Sequence, residues 1–188
     1  MSESGPTPGA RPADGGLEPA ASVVLPIVLI GPMGAGKSRV GARLASTLGV
    51  PFVDTDARIE ERYGEIAAIF ARDGEPGFRA VEREIVAEAL AEQAVVSLGG
   101  GAVLHPETRT QLADTAVVLL TVTAEAVEAR LVGGNRPLLA EGGLDRWKAI
   151  LAERTPVYAA LADLEIDTSR RSVGRIVEQI THRFGGER

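Results

Sequence analysis

Eight consecutive residues, Gly31-Pro32-Met33-Gly34-Ala35-Gly36-Lys37-Ser38, fit the spacing G-x-x-x-x-G-K-[ST] at every fixed position. Glycines let the backbone wrap closely round a phosphate chain. Successive N–H groups beside a helix N-terminus then supply donors and positive potential. Lys37 can reach the outer phosphates, and the Ser38 hydroxyl can ligate magnesium. The chemistry on offer is the holding of a nucleotide's phosphates.

Other residues raise the question of an acceptor. Asp54 and Asp56 stand one residue apart behind the apolar "PFV". One could serve a magnesium shell while the other meets an acceptor hydroxyl; equally, Thr55 or Asp56 could simply cap the helix that follows. Arg79 and Glu82 lie in "GFRAVE", where Arg79 by itself reads as a solvated arginine. Gly99-Gly100-Gly101 closes a further apolar run. Three glycines there point to close approach of a ligand or another segment, and a tight turn is the other reading. The stretch "GGNRPLL" has the composition of a mobile flap, with Arg136 as its one positive charge. An arginine brought in by closure stabilises charge on a transferring phosphoryl group; a plain surface loop is the alternative. Arg154, in "ERTPVY", reads alone as an exposed helical charge. His105 and His182 read as surface or capping residues, and Trp147 as packing.

The elements that must position these groups alternate. Buried-strand runs lie at Ile27–Ile30, in "PFVDTD", in "AVVSLGGGA", at Ala116–Thr123 and in "LEIDTS". Helical patterns fill the intervals. The first is stopped by Gly49, two pieces between Asp56 and Asp73 break at Gly64, and a longer one follows Pro76-Gly77. A short helix (Ala124–Val132) precedes the flap, and a helix with Pro156 inside, read as kinked near Thr155, follows it. The last presents Val173, Ile176, Val177, Ile180 and Phe184 on one face. Such alternation predicts an α/β fold, a parallel sheet with helices on both faces.

The 188 residues suffice for one domain. A net charge of −6 argues against a general nucleic-acid footprint. The absence of cysteine excludes thiolate metal sites and cysteine nucleophiles. Residues 1–22, rich in Gly, Pro, Ala and Ser, read as a flexible leader ahead of a domain over 23–188. No run approaches a membrane span and no secretion signal is read, so a cytoplasmic protein is expected.

Taken together, "GPMGAGKS", "DTD", "DGEPGFRAVE", "SLGGGAV", "RPLL", "ERTPVY" and "DTSRR" resemble the shikimate kinase family in order and spacing, from about Ile27 to Phe184. The resemblance implies a three-layer α/β/α P-loop kinase fold with a five-stranded parallel sheet in order 2-3-1-4-5 and a lid over about 133–143. It implies ATP-dependent phosphorylation of the 3-hydroxyl of shikimate by a monomer, with Mg²⁺, and with neither nucleic acid nor membrane as partner. Under it, Gly34, Ala35, Gly36, Lys37, Ser38, Arg39, Arg136 and Arg171 attend the nucleotide, and Ser38 and Asp54 hold the metal. Lys37, Asp56 and Arg136 carry the transfer. Asp56 meets the shikimate hydroxyls, Arg79 and Arg154 clamp its carboxylate, and Glu82 steers Arg79. Gly100 and Gly101 close on the substrate, while Phe70 and Phe78 wall its ring. Where relatives often place an arginine against adenine, this chain has Leu131, with Arg130 beside it. A kinase of another small acid, such as gluconate, is the nearest rival. A guanine-reading switch lacks support, since no Asn-Lys-x-Asp occurs.

Overall fold

The run Ile27–Ile30 (β1) is apolar at every position because it lies in the middle of a sheet covered on both faces. A computed structural model describes residues 23–131 and 143–185; the leader, the flap with Arg136 and residues 186–188 lie outside these. Phe52–Asp54 (β2), Val95–Ser97 (β3), Ala116–Thr121 (β4) and Leu164–Asp167 (β5) complete a parallel sheet in the order β2-β3-β1-β4-β5. Ile27 pairs with Val95 on one side and with Ala116 on the other. The ends of β2, β3 and β1 therefore lie side by side. That rim carries Asp54–Asp56, the three glycines and the phosphate loop.

Strand alternation sorts side chains to two cores. Ile27, Leu29, Val118 and Leu120 face helices Lys37–Leu48 (α1) and Val173–Phe184 (α7), meeting Leu44, Ile176 and Ile180. Val28, Ile30, Val117 and Leu119 face the opposite layer. There the cover comes from Ile66–Leu90 (α3), Pro106–Leu112 (α4) and Gly143–Leu161 (α6). Burying one such side chain contributes roughly 1.5–3 kcal/mol. Helix α6 continues through Pro156 as one element.

Local chemistry sets the helix ends near the site. Helix α1 starts at Gly36 and stops at Gly49, both left-handed with φ of 87° and 72°. Helix Thr55–Tyr63 (α2) follows β2 without a loop, and its N-cap is Asp54, not Thr55 or Asp56 as the sequence suggested. Asp54 Oδ1 accepts the N–H groups of Asp56 and Ala57 at 3.1 and 3.3 Å. An N-cap of this kind is worth about 1 kcal/mol. Gly64 ends α2, as expected. Helix α3 is broken at Gly74 (φ 68°), slightly before the expected Pro76-Gly77. Pro76 then sits in the first turn of the second segment, where its missing N–H costs nothing. That segment carries Phe78, Arg79 and Glu82.

Candidate active site

Two depressions open along the strand-end rim. The first, about 460 Å³, is lined by the phosphate loop with Lys37, Ser38 and Arg39, and by Asp54, Asp56 and Arg130. Lys37 Nζ donates to the Gly31 and Pro32 carbonyls at 2.8 and 3.2 Å. Burial lowers its pKa to about 8, against the pull of Asp56 and Asp54. Gly34 and Gly36 adopt φ of 83° and 87°, which side-chain-bearing residues rarely do. Ala35 is buried, so its main chain alone can serve a ligand.

Arg171 is not brought to this groove. It donates to Gln179 at 2.7 Å and lines a separate depression beside α7 with Arg175 and His182. At the groove itself stands Arg130, from Ala124–Leu131 (α5).

The second depression, about 270 Å³, is lined by Asp56, Arg79, Glu82, Gly99–Gly101, Arg154 and Phe78, and further by Ile66, Trp147 and Tyr158. Arg79 Nη1 donates to Glu82 Oε2 at 2.6 Å, and its Nε and Nη2 reach Glu75 Oε1 at 3.4 and 3.2 Å. Burial opposes its charge, but the bonds to the buried Glu82 and to Glu75 raise its pKa nonetheless. Arg79 is thus a fixed cation, not the solvated arginine its local sequence suggests. Arg154 Nε is buried with no hydrogen-bond partner among the described residues. Phe70 does not line the pocket; it stacks behind Phe78, with ring centroids 4.5 Å apart.

Gly99 and Gly101 are required by side chains packed onto them, whereas a Cβ on Gly100 would make only ordinary contacts at 3.6 Å. A Cβ on Gly99 would stand 2.5 Å from Asp56 Oδ1 and 3.2 Å from Glu82 Oε1. One on Gly101 would stand 2.7 Å from Arg79 Nη1. Another segment's close approach is therefore the reason for them. Thr55 fixes the spacing: its buried hydroxyl donates to the Ser97 carbonyl at 3.2 Å and accepts the Gly99 N–H at 3.1 Å.

Asp56 lies between the two depressions. Burial, then the nearby Asp54 carboxylate, pushes its pKa up to about 6, with Lys37 opposing. A carboxylate so placed can take a proton near neutrality. No cluster of three or more metal-ligating His, Cys, Asp or Glu occurs among the described residues. Magnesium does not need one, since it keeps waters and binds through one or two protein groups plus phosphates. Ser38 and Asp54 suit that habit: both line the phosphate groove, and only Asp54 Oδ1 is engaged in capping.

From the sequence, Thr55 reads only as a cap and Arg130 only as the neighbour of Leu131, while Glu75, Ile66 and Tyr158 are given no role. Trp147 reads as packing, and the indole does pack on the α1-side core while also lining the second depression. Tyr158 and Glu75 had a local signal, the one four residues after Arg154 and the other four residues before Arg79, each the spacing of neighbours on one helix face. His105 caps α4, accepting the Glu107 N–H at 3.3 Å, as one of its two readings had it.

Comparison with known proteins agrees with this geometry. Residues 33–184 match the family model described as shikimate kinase. A shikimate kinase of Mycobacterium avium (strain 104) is 52% identical over 165 residues, covering 84% of this chain and 92% of the relative. One from Thermobifida fusca (strain YX) is 49% identical over 156 residues, covering 81% and 91%. Among solved structures, shikimate kinase from Acinetobacter baumannii in complex with shikimate superposes with a TM-score of 0.77 at 35% identity, covering 84% and 90%. A sugar kinase from Janibacter sp. HTCC2649, with a TM-score of 0.55 at 19% identity, shares the fold alone. With a family-model match over residues 33–184 and about half of its residues identical to the Mycobacterium avium and Thermobifida fusca relatives over most of its length, the chain belongs to the shikimate kinase family.

Proposed function

We propose that the protein transfers the γ-phosphoryl group of ATP to the 3-hydroxyl of shikimate, giving shikimate 3-phosphate and ADP. One observation carries this: the phosphate groove and the smaller pocket meet at Lys37 and Asp56, which line both. A donor phosphate and an acceptor hydroxyl would thus lie on either side of one cation and one carboxylate.

The roles follow from position. The phosphate loop and Lys37 hold the β- and γ-phosphates, and Arg39 faces the same groove. Ser38 and Asp54 would hold Mg²⁺, which when bound would neutralise charge on the phosphates. Asp56 orients the attacking hydroxyl and receives its proton as the new O–P bond forms and the bond to ADP breaks. Arg79 and Arg154 take the acceptor's carboxylate, a ligand suited to the otherwise unpartnered Arg154 Nε. Glu82 and Glu75 hold Arg79 in place, the amides of Gly100 and Gly101 face the ring, and Phe78 with Ile66 supplies an apolar wall. Positioning and charge stabilisation account for most of such catalysis. The reading extends to a cytoplasmic monomer: ATP is the co-substrate, and one chain supplies every group named. No described helix is long and apolar enough to cross a membrane.

The test is ADP release with MgATP against a panel of hydroxy acids including shikimate and gluconate. Shikimate should give the highest kcat/KM; turnover at buffer level with shikimate, while another acid reacts, would overturn the assignment.

A further inference from the structure

Three successive carbonyls of the phosphate loop are each held by a side chain from a different part of the fold. Trp147 Nε1, on α6, donates to the Met33 carbonyl at 3.0 Å. Arg130 Nη1, on α5, donates to the Gly34 carbonyl at 2.7 Å. The Thr168 hydroxyl, just past β5, lies 3.0 Å from the Ala35 carbonyl and shares its one proton between that oxygen and the Thr121 carbonyl, also at 3.0 Å. Two of the three are joined, since Arg130 Nη2 also donates to the Thr168 carbonyl at 2.6 Å. On the inner side, Lys37 takes the two preceding carbonyls.

The arrangement matters because a planar trans peptide points its C=O and N–H in opposite directions. Holding the Met33 and Ala35 carbonyls outward turns the Gly34 and Gly36 N–H groups the other way, into the groove. Neither N–H donates to another group among the described residues. Glycine permits those peptides to turn at little cost, so the loop's own residues do not fix the direction. Something outside the loop must.

The amide paired with the carbonyl that Arg130 holds, that of Ala35, already donates to the Pro32 carbonyl at 3.3 Å. We propose that Trp147 and Thr168 form an outer brace that aims the Gly34 and Gly36 amides at phosphate, and that Arg130 locks the loop to Thr168, making all three positioning residues for the nucleotide. This deepens the proposed kinase function and rests on its nucleotide half. Arg130 is engaged with main-chain carbonyls of the loop and of Thr168 while also lining the phosphate groove. Trp147 also lines the acceptor pocket, which gives that pocket a direct mechanical connection to the donor loop.

The test is calorimetric binding of ADP with magnesium to the full chain. Thr168→Val keeps the shape but removes the hydroxyl, Arg130→Ala removes an exposed side chain, and Trp147→Phe keeps an aromatic ring without a donor. Each should weaken ADP binding roughly threefold or more: Trp147→Phe by about three- to tenfold for its single lost hydrogen bond, and Arg130→Ala, which loses its contacts to both Gly34 and Thr168, by about tenfold or more. Thr168→Ser should stay within about twofold of the parent. Shikimate affinity should be unmoved by Thr168→Val and Arg130→Ala. Unchanged ADP binding in those two variants would overturn the brace, as would a serine variant as weak as the valine one. A parent protein that binds ADP but not shikimate would instead count against the acceptor assignment and leave the brace intact. A parent that binds no ADP would sink the nucleotide reading and the brace together.

Discussion

The hydroxyl of Tyr158 donates to the Gly100 carbonyl across 2.6 Å, joining α6 to the glycine turn after β3. Tyr158 is buried in the core, and Arg154, one helical turn earlier, converges on the same glycine: a Cβ on Gly100 would stand 3.6 Å from Arg154 Nη1 and from the Tyr158 oxygen. Burial raises the phenol's pKa against the opposing effect of Arg154, so it remains a donor at neutral pH.

Tyr158→Phe should therefore leave the core packed but free the Gly100 carbonyl and the turn it holds. The expected outcome is a shikimate KM raised roughly three- to tenfold, with the ATP KM unchanged and stability lowered by about 1–3 kcal/mol. Steady-state kinetics and thermal unfolding check both. An ATP KM that rises equally would mean the bond supports the fold generally.

Asp56 predicts a pH dependence with opposite signs for activity and stability. The base must be ionised, so kcat/KM for shikimate should fall as pH drops through about 6. For stability, the folded pKa of about 6 lies above the ordinary 3.8, so the native state binds this proton more tightly. The associated stability is present below 3.8 and lost as pH rises through 6. Asp56→Asn should accordingly be inactive yet more stable at pH 7, by roughly 1–2 kcal/mol after allowing for its contact with solvent. Chemical denaturation at pH 5 and pH 8 measures the difference, which should shrink at the lower pH.

Lys37 sets the alkaline limb. With a pKa of about 8 it loses its charge as pH rises past that value. The expected result is a fall in kcat/KM for ATP above pH 8, absent from the shikimate profile when ATP is saturating, because bound phosphates hold the lysine protonated. Identical alkaline limbs in the two profiles would assign that ionisation elsewhere.

Gly101→Ala inserts a methyl group against the Arg79 guanidinium. Because the obstructed atoms are a side-chain end, the fold should survive while Arg79 is driven from its place between Glu82 and Glu75. Displacing one charge-assisted contact to the acceptor should raise the shikimate KM about tenfold or more, with ADP binding intact by calorimetry. Loss of ADP binding as well would indicate that the turn itself had collapsed.

Much of this molecule was legible from its chain because the decisive interactions were local. The phosphate loop, the glycine that ends α1, the break before Phe78 and the apolar face of α7 each depend on residues within one or two turns of one another. Both-face burial of β1 could be read from four apolar residues in a row. Where reading failed, the partner lay far off in sequence. Thr55 reaches across 42 residues to Ser97, Tyr158 across 58 to Gly100, and Arg130 across 96 to Gly34. Thr168 and Ala35 are 133 residues apart. Phe70 and Arg171 are the exceptions: each turned to a partner eight residues away, Phe78 and Gln179, which packs or bonds it away from the site.

Composition and local pattern were thus enough to name the groups the protein carries and the short elements that present them, because backbone conformation and apolar periodicity are nearest-neighbour properties. Which of those groups meet depended on how the sheet and helices pack. Inserting β1 between β3 and β4 sets the loop after β1 beside the ends of β2 and β3. From there Asp56 comes under the influence of both Lys37 and Asp54, and Gly99 and Gly101 become the space that Asp56 and Arg79 occupy.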